Sequence, residues 1–152
     1  MTRPHRTFAL TALAVFTLGA VLPATAHANN DPVNLPVTDE VRAELVETAS
    51  VLTGRPASEF GGLRDKRTYY AQDANGMQWA AAALYAKPDA YWAAIELQDQ
   101  NSYFAFVKPA DPGSTWIPTA IGFGPIPAGQ EPCPLPQAVR DAWAWPAGKC
   151  HP

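Results

Sequence analysis

Carboxylates are the side chains of this sequence whose number and spacing are most compatible with catalysis. Five of them fall near the predicted sheet: Glu59, Asp65, Asp73, Glu96 and Asp99. Glu96 is the leading candidate, because it lies between Ile95 and Leu97. If it faced a concave apolar surface, its pKa could be raised enough for it to act as a general acid. The alternative, which the sequence favours, is that Glu96 faces solvent and alternates with two buried neighbours, as antiparallel strands commonly do.

Other catalytic and cofactor chemistries lack the residues they need. After the predicted leader, His151 is the one histidine, and no serine lies in a G-x-S-x-G context, so a nucleophile with a histidine base is not indicated. One histidine and two cysteines are too few for a zinc or copper site, and residues 73–76 fit a turn better than a calcium loop. We therefore predict no metal and no cofactor. A non-enzymatic protein is favoured, and a pair of carboxylates is the catalytic class that stays open.

Aromatic rings supply a second kind of chemistry, the stacking of flat rings on sugars. For Trp79, Trp92 and Trp116 the favoured interpretation is core packing, since tryptophan buries a large area and suits sheets. For Trp145, burial and exposure are equally expected, because it lies at the end of the last predicted helix, in a Pro-Ala-Gly context. Trp145 is therefore a candidate binding residue for a carbohydrate or cell-wall surface.

Proline-rich loops suggest a different kind of binding. The segments 109–113 and 124–134 are stiffened by proline, and a stiff exposed loop loses little entropy when it binds a partner. Such loops suit an inhibitor that presents a loop to a hydrolase, although prolines also simply make good turns. Asp111, in the first of these loops, is the second candidate binding residue.

The first 28 residues predict export. Arg3 and Arg6 precede an apolar run at residues 8–22, and the A-x-A site that follows predicts a Sec-type signal peptide cleaved after Ala28. A retained membrane anchor is the alternative, but the run is shorter than the ~20 residues that a span needs. Without the two leader arginines, nine basic residues face 14 acidic ones, a net charge of −5. This charge disfavours nucleic acid and anionic membranes as partners of a secreted protein.

An amphipathic helix should open the folded domain. Thr38 as N-cap and Gly54 after the last turn predict a helix over residues 38–53. Residues at helical spacing form its buried stripe: Val41, Leu45, Thr48 and Leu52. Val51 lies beside this stripe, and Glu44 faces away from it.

Turn signals divide the rest of the chain into an antiparallel meander. The predicted strands span residues 68–73, 77–85, 91–98, 103–108 and 116–123. Asn75-Gly76 predicts a tight two-residue turn between the first two, and residues 55–66 form a connector. The run 79–83 is ambiguous because alanine favours helix, and strand is preferred from its neighbours. A short helix at 137–145 follows.

The two cysteines complete the predicted architecture. In an exported chain Cys133 and Cys150 should form a disulfide that staples the C-terminal helix, with two free thiols as the alternative. The chain is thus an α+β protein with a leader at 1–28, a flexible lead-in at 29–37 and one domain at 38–152. The element order, a helix cradled by a meander of about five strands, is analogous to that of cystatin-like folds.

One set of residues resembles a known class of proteins. The set comprises Tyr69-Tyr70-Ala71, Trp79-Ala80-Ala81-Ala82, Phe106, Trp116, and Cys133-Pro-x-Pro136 before Val139 and Trp143. It resembles small exported proteins of high-GC Gram-positive bacteria, the actinobacteria, most of which have no assigned activity. The resemblance implies an exported protein and transfers no catalytic residue.

Three functions fit these observations. The first is a secreted binding or inhibitory module that acts on an extracellular protein, which the missing catalytic groups and the stiff loops favour. The second is a cell-wall or carbohydrate-binding module that uses exposed aromatic rings. The third is a carboxylate-based extracellular hydrolase that uses Glu96 with another acid.

Overall fold

The computed structural model describes residues 30–99, 103–121, 133–147, 149–150 and 152. The predicted leader, most of the second proline-rich loop and His151 lie outside the described residues. The α+β class is confirmed, because the described residues form a five-stranded antiparallel sheet with α-helices packed against it.

The strands follow one another in the sheet in chain order. They are β1 (Val33–Asn34), β2 (Phe60–Gln72), β3 (Gln78–Ala86), β4 (Tyr103–Lys108) and β5 (Ile117–Ile121). Strand β2 therefore begins inside the predicted connector. The hairpin between β2 and β3 is confirmed, but its loop has three residues, because the backbone N–H of Asp73 donates to the carbonyl of Met77 at 2.9 Å. Gly76 takes the left-handed conformation (φ +81°) that such a loop requires.

The helices are α1 (Asp39–Thr53), α2 (Tyr91–Asp99) and α3 (Gln137–Ala142). Both ends of α1 are as predicted: the Thr38 hydroxyl accepts a hydrogen bond from the Val41 N–H at 3.2 Å, and Gly54 is left-handed (φ +66°). Its buried face is narrower than predicted. Leu45 and Ala49 are fully buried, whereas Val51 is 78% exposed.

The strand predicted at 91–98 is wrong, because these residues form α2. Ala93 and Leu97, which are four residues apart, are buried in the core, as one face of a helix requires. The aromatic and β-branched residues of this segment suggested a strand. Packing of Ala93 and Leu97 in the core stabilises the helix despite that local preference. Glu96 consequently lies on a helix, half-buried, rather than in mid-strand.

The centre of the sheet is the alanine run of β3. Ala80, Ala81, Ala82 and Ala83 all have no exposed surface, and the run is strand. Ala80 and Ala82 belong to the core cluster that contains residues of α1 and α2. Ala81 and Ala83 belong to a second cluster on the opposite face, built with the C-terminal segment. Small side chains let both layers approach the strand closely.

The C-terminal segment covers the second face of the sheet. The predicted disulfide is confirmed, with the Cα atoms of Cys133 and Cys150 5.6 Å apart. Between these cysteines lie Trp143 and Trp145, whose ring centroids are 5.5 and 5.3 Å from that of Tyr69 on β2. Helix α3 itself ends at Ala142, so Trp145 lies outside it rather than in the predicted helix.

One carboxylate joins α1 to the end of β4 and the start of β5. Glu44 Oε2 accepts hydrogen bonds from the indole N–H of Trp116 at 2.9 Å and from Lys108 Nζ at 3.2 Å. The prediction that Glu44 faces away from the core side is therefore wrong. Burial raises the pKa of Tyr70, and the nearby negative charge of Glu44 raises it further. The Tyr70 ring packs against Trp116, with their centroids 5.8 Å apart.

Substitution of Ala82 by leucine tests the close packing on the face of β3 that α1 and α2 cover. Because the extra carbons have no space between the strand and the helices, we expect Ala82→Leu to lower the free energy of unfolding by about 1–3 kcal/mol. The matched control is Ala138→Leu on the exposed side of α3, which should change it by less than about 0.5 kcal/mol. Urea unfolding followed by tryptophan fluorescence measures both, and equal effects would contradict the packing argument.

Burial of Tyr103 predicts a loss of stability in alkali. Desolvation, with a smaller contribution from Tyr69 and opposed by Arg67, raises the pKa of the Tyr103 hydroxyl. The unfolded chain therefore releases this proton at about pH 10 while the folded chain retains it, and stability falls as the pH rises further. We expect Tyr103→Phe to reduce this loss by up to about 1.4 kcal/mol per pH unit above pH 10. Urea unfolding between pH 8 and 11 would show parallel curves if the hydroxyl were not involved.

Candidate ligand-binding surface

Four of the five carboxylates considered for catalysis belong to different elements of the structure. Asp73 belongs to the β2–β3 loop, where Oδ1 accepts hydrogen bonds from two backbone N–H groups and Oδ2 accepts one from the Trp79 indole. Asp65 forms an ion pair with Arg42 at 3.0 Å. Glu96 is on α2, and Glu59 precedes β2 at the end opposite to Asp73. Among the described residues, no group of three or more His, Cys, Asp or Glu side chains could hold a metal ion.

The two candidate binding residues have opposite environments. Trp145 is only 5% exposed, and its ring contacts Tyr69 and Trp143, so it presents no face to a ligand in solution. Asp111 is exposed in the first proline-rich loop, where its carbonyl accepts a hydrogen bond from the Ser114 N–H at 3.1 Å. The core interpretation is confirmed for Trp116, which is buried, and is wrong for Trp92, which is 60% exposed.

Three exposed rings lie where β3 leads into α2. They are Tyr85 near the end of β3 (40% exposed) and Tyr91 and Trp92 in the first turn of α2 (67% and 60%). The Tyr91 and Trp92 rings are nearly perpendicular, with centroids 5.3 Å apart. We call these three rings the aromatic surface. A helical arrangement of residues 91–98 would have revealed it, because burial of Ala93 and Leu97 turns the two preceding rings outward.

An arginine lies against a ring at each side of the aromatic surface. The guanidinium carbon of Arg64 is 5.8 Å from the ring centroid of Tyr85, and that of Arg55 is 5.9 Å from Trp92. At these distances a cation is attracted to the face of an aromatic ring. The two contacts hold both the rings and the positive charges in place at the surface.

A wide bulge in β2 positions Arg64. Leu63 pairs with Leu84 and Thr68 pairs with Ala82, so the four residues Arg64–Arg67 stand opposite Ala83 alone. All four are exposed, and the Thr68 hydroxyl donates a hydrogen bond to the Arg64 carbonyl at 2.8 Å. Bulges commonly turn a side chain in a new direction, and this one turns Arg64 towards Tyr85.

The Tyr85 ring lies flat on two glycines of β2. A Cβ atom on Gly61 would come within 2.7 Å of Tyr85 Cδ2, closer than real Cβ atoms approach a neighbour. Gly62, which pairs with Tyr85, has φ +130°, a conformation that other residues rarely adopt. The Gly61-Gly62 pair is therefore explained by the position of this ring.

Three adjoining grooves surround the aromatic surface. The first, of about 820 Å³, lies between α1 and the start of β2, and the middle groove, of about 480 Å³, lies between β3 and α2. Arg64 and Tyr85 line both of them. The third groove, of about 290 Å³, lies beside Tyr91 and Trp92, and Lys87 lines it as well as the middle groove. The three grooves therefore adjoin one another through shared lining residues.

The third groove carries the polar groups that could orient a ligand. It is lined by the carboxylates of Glu59 and Asp89 and by the side chains of Ser58 and Lys87. Glu59 Oε2 is buried and accepts no hydrogen bond from the described residues. Buried carboxylate oxygens usually have a donor, so a ligand hydroxyl that reached this one would be stabilised.

No protein-family model matches the chain, and no curated protein or solved structure is significantly similar to it. Within the described part of the chain, none of the helices has the length and apolar character needed to cross a membrane.

The contact between Gly61 and Tyr85 can be tested by a double-mutant cycle. Because a Cβ atom on Gly61 would displace the ring, we expect Gly61→Ala to lower the free energy of unfolding by about 1–3 kcal/mol. In a Tyr85→Ala background the same change should cost almost nothing, since the obstacle is absent. Urea unfolding of the four proteins gives the coupling energy. Equal costs in the two backgrounds would show that Tyr85 does not lie on Gly61.

Proposed function

We propose that the protein is an exported, non-enzymatic module that binds carbohydrate through the aromatic surface. The observation that carries this proposal is the exposure of Tyr91 and Trp92, at 67% and 60%. Burying such rings is strongly favourable, so two adjacent exposed rings on a helix that buries its other face suggest a binding role. Sugar rings have apolar C–H faces that match flat aromatic rings.

The polar groups around the rings support the same ligand class. A sugar that stacks on Trp92 or Tyr91 carries hydroxyls at its edge, and these hydroxyls need both acceptors and donors. The third groove offers carboxylate oxygens of Glu59 and Asp89 as acceptors and the Lys87 ammonium as a donor. This combination of a few polar groups beside apolar rings is typical of small-molecule sites.

Export is part of the proposal. The predicted signal peptide at 1–28 sends the chain out of the cytoplasm, and disulfides such as Cys133–Cys150 persist chiefly in oxidising compartments. The acidic net charge of the remaining residues argues against nucleic acid as a partner. The proposed site of action is therefore extracellular, at a cell-wall or other glycan.

An extracellular protein is the second candidate ligand. Tryptophan, tyrosine and arginine are the residues most enriched among the dominant contacts of protein interfaces, and Trp92, Tyr91 and Arg55 lie together here. The exposed loop that carries Asp111 offers a separate contact of the kind an inhibitor presents. A partner protein would need to cover several hundred Å² on this side of the domain.

A carboxylate-based hydrolase is the third candidate, and it now rests on different residues. Glu59 and Asp89 line the same groove beside the aromatic surface, whereas the sequence pointed to Glu96. Turnover of a bound glycan that Glu59→Gln abolishes would favour this candidate over a binding module.

Replacement of Trp92 tests the carbohydrate proposal. The protein from Asn29 to Pro152, with its disulfide intact, is incubated with insoluble cell-wall glycan and with an array of soluble oligosaccharides. We expect Trp92→Ala to weaken retention about tenfold or more, because loss of one stacked ring costs about 1.5 kcal/mol. The control is Val51→Ala, which removes another exposed apolar side chain from α1. Equal retention of both variants would contradict the proposal, and retention only on a secreted protein would favour the second candidate.

A further inference from the structure

The middle groove differs from its neighbours in charge. It is lined by two cations, Arg64 and Lys87, together with the Tyr85 ring, the Gln98 amide and apolar residues, and by no acidic residue. The first groove contains Arg42, which is paired with Asp65, and Glu47 opposes its remaining charge. In the third groove Lys87 faces two carboxylates. Of the three grooves, the middle one is therefore the one in which lining carboxylates balance the positive charge least.

This local excess of positive charge contrasts with the negative net charge of the chain. After the predicted leader the protein has 14 acidic and nine basic residues, so a groove lined by two cations and no carboxylate is not the average surface. Charges on a surface attract ligands of opposite sign and repel ligands of the same sign. A groove of this kind selects an anionic group from a ligand whose neighbouring parts lie on the flanking rings.

Arg64 is held in position for such a group. The bulge of β2 directs its side chain, and the guanidinium lies over the face of Tyr85. Within the described residues, the guanidinium N–H groups of Arg64 donate no hydrogen bond. The edge of the guanidinium is therefore available to a ligand. That edge matches the two oxygens of a carboxylate, which a lysine ammonium can contact from another side as a point charge.

We propose, on the basis of the carbohydrate-binding role above, that the ligand is an acidic polysaccharide. One of its sugar carboxylates lies in the middle groove between Arg64 and Lys87, and the adjoining sugars lie on the Tyr91–Trp92 pair. Three grooves that share lining residues suit a chain of sugars rather than a single small acid. The charged contacts give selectivity, and the rings give affinity.

The test compares charged and uncharged forms of the same polymers. Binding of the disulfide-intact protein to polygalacturonate, alginate and hyaluronate, and to the methyl ester of each, is measured by tryptophan fluorescence at 20 and 500 mM NaCl. We expect at least one acidic polymer to bind at least fivefold more tightly than its ester at low salt. That preference should shrink severalfold at high salt, because exposed charges are screened.

Two variants and a matched control assign the effect to the groove. Arg64→Gln and Lys87→Gln should each remove most of the preference for the acid over the ester. Lys66→Gln removes the same charge from the same bulge, at an exposed residue that lines none of the three grooves, and should leave the preference unchanged. Equal losses in all three variants would overturn the inference, because they would indicate general attraction rather than a site.

The remaining outcomes separate this inference from the proposed function. Equal binding of acids and esters, sensitive to Trp92→Ala, would overturn the acidic ligand and leave carbohydrate binding in place. Binding of poly-glutamate as tightly as the polysaccharides would show that the anion suffices and would overturn the choice of a sugar chain. Failure of every acidic, esterified and neutral glycan to bind would overturn both proposals together.

Discussion

The close approach of two layers to one strand governs this structure. Ala80–Ala83 of β3 have no exposed surface, because α1 and α2 pack on one face and the C-terminal segment packs on the other. Larger side chains at these positions would separate the layers and leave voids elsewhere in the core. The disulfide and the Trp143 and Trp145 rings hold the second layer against the strand, while Glu44 fastens the first layer to Trp116 and Lys108.

The position of the aromatic surface follows from this packing. Since β3 is fixed on both faces, the place where it ends is also fixed, and α2 begins a few residues later. Ala93 and Leu97 bind α2 to the core, so Tyr91 and Trp92 are directed outward as a consequence of burying the opposite face. Tyr85 can lie against β2 only because Gly61 and Gly62 leave space for its ring. The exposed rings are therefore carried by elements whose other faces are packed into the core.

Local signals in the sequence were sufficient for the elements that local chemistry decides. The caps of α1, the hairpin at Gly76 and the pairing of Cys133 with Cys150 each depend on residues close together or on a simple count, and each was predicted. Helix α2 was missed because its aromatic residues favour strand locally, while its helical conformation is stabilised by distant core residues. The bulge in β2 was missed because nothing in Arg64–Arg67 differs from an ordinary polar connector.

The candidate site was less predictable than the fold, for the same reason. Its rings are contributed by β3 and α2 and its cations by β2 and two turns, so only the tertiary structure brings them together. For Trp145 the sequence left burial and exposure equally expected, and the ring is buried, whereas Trp92 was expected in the core and is exposed. The composition of a segment shows that large aromatic rings are present. It does not show on which side of the helix or strand each ring lies.

In the proposed binding role, the bulge of β2 separates recognition from folding. The ladder pairs on either side of it, Leu63 with Leu84 and Thr68 with Ala82, continue without the four residues between them. Substitution of Arg64 therefore changes a charge that the proposed ligand would meet while the register of the sheet and the alanine run stay as they are. Under mutation and selection, the ligand preference of such a protein would change through this one exposed position, and a designer could vary it on a constant scaffold.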